Sequence, residues 1–94
     1  YLSSVGNDLV LDSLPALTDI DSYTNLHTIG GDLELRDNHT LQNIGALMNL
    51  WILSGDFRVI DNFMLPTSQV ENLIEHLLLN QYNGNIIVSG NLDD

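Results

Sequence analysis

A single phrase recurs along this chain at a nearly fixed interval. Gly30-Gly31-Asp32-Leu33-Glu34-Leu35-Arg36-Asp37-Asn38 has one counterpart before it in Asn7–Leu11 and another after it in Gly55–Val59. Both are offset by the same step, Leu9 to Leu33 and Leu33 to Phe57. A fourth copy, Gly84–Val88, follows after a slightly longer step. The repeat period of about 24 residues lies in the range that marks stacked-repeat architectures, in which one unit cannot bury its inner face and its neighbours do so. Within each copy the apolar residues alternate: Leu9/Leu11, Leu33/Leu35, Phe57/Val59 and Ile86/Val88. Alternation of period two places these residues on one face of a strand.

The rest of each unit is also periodic. Leu2 and Val5 stand one period before Leu26 and Ile29, which stand one period before Leu50 and Leu53. Leu14, Leu17 and Ile20 fill the middle of the first unit, and Leu41, Ile44 and Leu47 that of the second. The expected fold is mainly β with one helix: a right-handed parallel β-solenoid of about four stacked coils, one period each, with a capping helix near 68–79. One repeat domain covers 1–94, divided as 7–30, 31–54, 55–83 with the helix, and a final strand in 84–91. The first residues read as the tail of a preceding coil. A piece of a longer array is therefore expected, with an open N-terminal end available for self-association.

The insertion in the third unit has its own signature. Pro66 stops the preceding segment, and Ser68 with Glu71 reads as a capping box. Val70, Leu73, Ile74 and Leu77 recur at helical spacing, and Asn80, Asn83 and Gly84 end the run.

These motifs resemble the repeats of the receptor L-domain-like family, of the leucine-rich-repeat type found in secreted and surface proteins. Leu26 to Leu50 carries the phrase L-x-x-I-G-G-D-L-x-L-x-x-N-x-x-L-x-x-I-x-x-L-x-x-L almost without departure. Asn62–Ser68, the helix and Gly84–Asn91 resemble the C-terminal end of bacterial arrays, although Ser68 stands where those often carry Cys. The resemblance spans nearly the whole chain. It implies the architecture and a secreted or cell-surface location, and it does not specify a ligand.

Charge and composition narrow the function. Two Arg, no Lys and thirteen acidic residues give a net charge of −11. Phosphate recognition needs clustered cations, so nucleic acid and anionic membrane surfaces are disfavoured. No apolar run reaches the ~18 residues of a membrane span. The absence of Cys removes disulfides, thiolate metal sites and a Cys nucleophile.

Three groups of residues are candidates for a site. The outward strand positions form one column of Val10, Glu34, Arg58 and Ile87 and a second of Asp12, Arg36, Ile60 and Ser89. Val10, Glu34, Arg36, Arg58, Ile60 and Ile87 make the candidate binding face, with Glu34–Arg58 and Asp12–Arg36 expected as cross-strand charge pairs. Asp8, Asp32, Asp56 and Asn85 form a further column. Ca²⁺ could relieve their repulsion, but bonding of turn carboxylates to nearby backbone N–H groups is the favoured reading. Asn38-His39-Thr40 matches the N-glycosylation pattern in a turn, a match short enough to arise by chance.

His27, His39 and His76 share no ligand spacing, so neither a metal nor a cofactor is expected. Trp51 reads as a partly buried packing residue, with an exposed aromatic platform for a sugar as the alternative, and Tyr23 and Tyr82 read as packing or turn residues. The functional expectation is a non-catalytic module that recognises a protein or glycan. The alternatives are a structural spacer or self-association domain and, third, a carbohydrate-active β-helix enzyme.

Overall fold

The computed structural model describes residues 3–93. Among them every pairing between strands is parallel, and one α-helix is added. Strands β1 (Ser4–Val5), β3 (Thr28–Ile29) and β5 (Ile52–Leu53) form a small three-stranded sheet in that order. Strands β2 (Leu9–Asp12), β4 (Leu33–Arg36), β6 (Phe57–Ile60) and β7 (Ile86–Ser89) form a four-stranded sheet. The helix α1 is Thr67–Leu79.

The register follows the sequence period. Leu9 pairs with Leu33, Leu33 with Phe57, and Phe57 with Ile86. The longer last step is absorbed by the insertion that carries α1. Alternate residues of the larger sheet turn inward, so Leu33, Leu35, Phe57 and Val59 are fully buried. Ile86 belongs to the same inward row but lies on the edge strand, where it remains exposed. Val5 pairs with Ile29 as its spacing requires, whereas Leu2 falls outside the described residues.

The three-stranded sheet is not legible in the sequence as strands. Leu26/Ile29 and Leu50/Leu53 stand out only as a recurring apolar pair, because strands of two residues are too short to show alternation. Leu26, Ile29 and Leu50 are nonetheless fully buried. Leu14 differs from its apolar neighbours in the first unit. It occupies the position of Asn38 in the second unit and is exposed.

Polar side chains connect one unit to the next. The Asn62 Nδ2 donates to the Leu35 carbonyl at 2.9 Å, and its Oδ1 accepts from the Asn38 N–H at 3.2 Å. Asn38 does the same one unit earlier, bonding the Leu11 carbonyl at 2.8 Å and the Leu14 N–H at 3.0 Å. Asn91 repeats it one unit later on the Val59 carbonyl and the Asn62 N–H. Each Asn thus satisfies backbone groups that the strand leaves behind as it turns. The turn itself needs a left-handed residue at its start. Ser13, Asp37, Asp61 and Gly90 supply it, with φ of 57°, 54°, 58° and 70°. Asp and Gly tolerate this conformation better than most residues.

Helix α1 buries Val70, Leu73 and Leu77 against the core, as its spacing predicts. It packs on the short 3-10 segment Gly45–Asn49 of the preceding unit. The Gln69 side chain bridges this junction, accepting from the Ile44 N–H at 2.9 Å and donating to the Gln42 carbonyl at 3.0 Å. Ser68 does not take the cap position expected of it. The helix begins at Thr67 with Pro66 in the cap position, so Ser68 lies inside the first turn. Pro66 is extended there, with ψ of 131°, and its side chain makes no cap hydrogen bond. Thr67 is held instead by the Leu92 carbonyl, to which both its N–H and its hydroxyl donate at 2.8 Å.

Three substitutions test this framework. Asn62→Leu leaves a buried N–H and a buried carbonyl without partners. Urea unfolding should show a loss of about 2–6 kcal/mol, since each of the two orphaned groups costs about 1–3 kcal/mol. A Cβ on Gly55 would strike the Asp32 carboxylate and the Gly31 backbone, whereas one on Gly6 meets nothing within 4 Å. Gly55→Ala should therefore lower the melting temperature markedly, and Gly6→Ala should leave it nearly unchanged.

Candidate functional site

The outer face of the four-stranded sheet brings the six candidate residues together. Val10, Glu34, Arg58 and Ile87 lie side by side across the four strands, as do Asp12, Arg36, Ile60 and Ser89. The first row runs apolar, acidic, basic, apolar, with Val10 and Ile87 exposed at its ends. Strand alternation places Asp8, Asp32, Asp56 and Asn85 on the same face as a third row.

The charges on this face do not pair as expected. Arg58 is adjacent to Glu34 in register, but its guanidinium turns to the Asp row. Its Nη1 bonds the Asp32 carboxylate at 3.1 Å and its Nη2 the Asp56 carboxylate at 2.9 Å. Two planar donors facing two carboxylates form a better-matched contact than a single bond to Glu34. Arg36 lies 3.8 Å from Glu34, its neighbour on the same strand face, rather than bonding Asp12. The Asp12 carboxylate accepts instead from the Ser13 hydroxyl at 2.8 Å. Arg36 Nε is buried and has no partner among the described residues.

The Asp row behaves as turn carboxylates bonding local backbone. Asp8 Oδ1 accepts from the Asp32 N–H and Asp32 Oδ1 from the Asp56 N–H, both at 2.7 Å. The last member is longer, with Asp56 Oδ1 3.4 Å from the Asn85 nitrogen. The Asp56 N–H, followed by the Arg58 guanidinium, holds the Asp32 carboxyl below its usual range. Arg58 is raised in turn, chiefly by its bond to Asp32. Among the described residues no group of three or more His, Cys, Asp or Glu is placed to hold a metal ion.

The glycosylation reading of Asn38 fails on geometry. Asn38 is 0% exposed, and the nitrogen that a glycan would modify is the one donating to Leu11. The histidines are dispersed. His27 lies 3.0 Å from the Asn49 carbonyl, His39 stacks on Phe63 with ring centroids 4.7 Å apart, and His76 donates to the Leu50 carbonyl at 2.7 Å. Trp51 is not a packing residue, being 59% exposed. Tyr23 and Tyr82 do pack against the core, and the Tyr82 hydroxyl donates to the Gly55 carbonyl at 2.8 Å.

A groove that the sequence does not announce lies between the 3-10 segment Gly45–Asn49 and α1. Its volume is about 440 Å³, and Ile44, Met48, Asn72, Glu75, His76 and Leu79 are among its lining residues. Leu79 follows the helical apolar spacing poorly and is 81% exposed. That misfit is the one sequence signal for the groove.

No protein-family model, curated protein or solved structure matches the chain. The geometry of the site is that of a mixed-charge sheet face on which Arg58 is fixed by two carboxylates.

Asp32 links this face to acid stability. Its folded-state pKa is lowered, so its contribution is complete above the unfolded value of about 3.9 and shrinks as pH falls below it. Denaturant midpoints measured from neutral pH downward should begin to lose this contribution near pH 4. Asp32→Asn, which cannot titrate, should show a shallower acid limb than the parent.

Proposed function

We propose that this chain is a non-catalytic recognition module of a secreted or cell-surface protein, binding a protein or glycan across its four-stranded sheet. The single observation behind this reading is the outer face itself. Val10 and Ile87 are exposed at its two edges, and between them Arg58 is held in place by Asp32 and Asp56. Side chains fixed before binding lose less entropy on contact, and exposed apolar residues add contact area. Stacked-repeat proteins commonly bind through such extended faces.

The finer architecture belongs to the same proposal. Two parallel sheets repeating in register support a β-solenoid of the receptor L-domain-like kind. A right-handed winding is favoured because parallel crossovers nearly always take that hand. The net charge of −11 favours a neutral or basic partner over an acidic one. Self-association is the second reading, supported by β2 and β7, each of which has a neighbour on one side only among the described residues. A parallel edge of this kind can accept another strand.

Glycan and peptide arrays probed with labelled protein test the main reading. Binding to at least one class should be saturable and should weaken about tenfold or more in the Val10→Asp/Ile87→Asp double variant. Leu79→Ser, in the groove, should leave it unchanged. Equal binding by the double variant would place recognition elsewhere.

A further inference from the structure

The connection between α1 and β7 contains a chemically distinctive pair. Asn83-Gly84 is the one place where an Asn of this chain is followed by Gly. Every other Asn precedes a residue whose side chain shields the next backbone nitrogen. Asn83 is exposed and lies outside any helix or strand. The residues around it are anchored. The Tyr82 N–H donates to the Leu77 carbonyl, its hydroxyl donates to the Gly55 carbonyl, and Asn85 joins the sheet by accepting from the Phe57 N–H. Between these anchors, none of the hydrogen bonds described involves the backbone or side chain of Asn83 or the backbone of Gly84.

We infer that Asn83 is a site of spontaneous deamidation, and that its conversion loosens the last strand of the candidate binding face. The reacting groups are both present. The Gly84 backbone nitrogen, on losing its proton, attacks the Asn83 side-chain carbon Cγ. A bond forms between Gly84 N and Cγ, the Cγ–Nδ2 bond breaks, and ammonia leaves. The product is a five-membered succinimide. Water then opens this ring. Breaking the bond from Gly84 N to Cγ gives an ordinary aspartyl residue at this position, whereas breaking the bond to the backbone carbonyl carbon gives the iso-aspartyl form. In the latter the main chain runs through Cβ and is longer by one methylene.

Several other asparagines commit their side-chain amides to hydrogen bonds, as this one does not. Asn38, Asn62 and Asn91 have their Nδ2 groups committed to strand carbonyls, and Asn80 Nδ2 donates to the His76 carbonyl at 2.9 Å. The consequence for β7 follows from its position. Among the described residues it is an edge strand with β6 as its sole partner, and its register begins just beyond Asn85. An added methylene there displaces Asn85, whose carbonyl holds the Phe57 N–H and whose nitrogen already makes the longest bond of the Asp row. Ile87 moves with it.

Peptide mapping by mass spectrometry after incubation of the folded protein at mildly alkaline pH provides the test, with a urea-unfolded sample as reference. The amide-to-acid mass gain should appear at Asn83 in the folded protein, rise in rate with pH, and give more iso-aspartyl than aspartyl product. The ladder asparagines should convert only in urea. Gly84→Ala would drive a Cβ into the Gly55 carbonyl, so Asn83→Gln is the control that keeps the glycine. It should abolish the mass gain over the same interval. Hydrogen exchange of the purified iso-aspartyl form should show lost protection at Phe57 and Asp61, the amides that donate to β7-side carbonyls. Conversion of Asn83 in urea but not in the folded state would overturn the site. Unchanged protection in the iso-aspartyl form would overturn its consequence.

Discussion

The hydrogen bond from an asparagine amide to the strand of the preceding unit is the contact on which the stacking depends. A parallel sheet can slide in steps of two residues without reversing which side chains face inward, so burial alone does not fix its register. The Asn ladder does. Asn62 reaches the Leu35 carbonyl and the Asn38 N–H only when Leu33 lies opposite Phe57. Because Asn38 and Asn62 are buried, any slip would leave amide groups without partners in the core. The left-handed residues before each Asn then turn the chain at a constant point.

The outer face inherits its order from this inner constraint. Once the register is set, Asp32 and Asp56 are held on adjacent strands beside Arg58, and Val10 and Ile87 fall at opposite edges of the same row. The carboxylates serve two purposes. One oxygen of Asp32 accepts from the Asp56 N–H and the other meets Arg58. Arg58 is thereby engaged on the surface of a strongly acidic chain, and Arg36 lies beside Glu34, which leaves any ligand facing a largely negative field with apolar margins.

Much of this is legible because the chain repeats. The regular spacing places Val10, Glu34, Arg58 and Ile87 in one row, and the structure puts them there. What the repeat does not convey is direction in three dimensions. Arg58 has Glu34 beside it in register and two aspartates along the sheet, and its choice rests on side-chain geometry that column positions do not encode. Asn38 matches a modification pattern in a turn, yet the turn folds its amide inward to serve Leu11. The two-residue strands of the smaller sheet carry too little pattern to register as strands. The helix starts at Thr67 rather than Ser68 because Thr67 finds the distant Leu92 carbonyl. The groove beside α1 arises from the insertion, the one segment with no copy elsewhere in the chain.

The register is the central claim, and interstrand nuclear Overhauser contacts measure it most directly. The account predicts parallel-strand contacts that join Leu9 to Leu33, Leu33 to Phe57 and Phe57 to Ile86, with their neighbours in step. Slow exchange of the Asn62 side-chain amide should accompany them. Antiparallel contacts, or a register displaced from these pairs with a freely exchanging Asn62 amide, would contradict it.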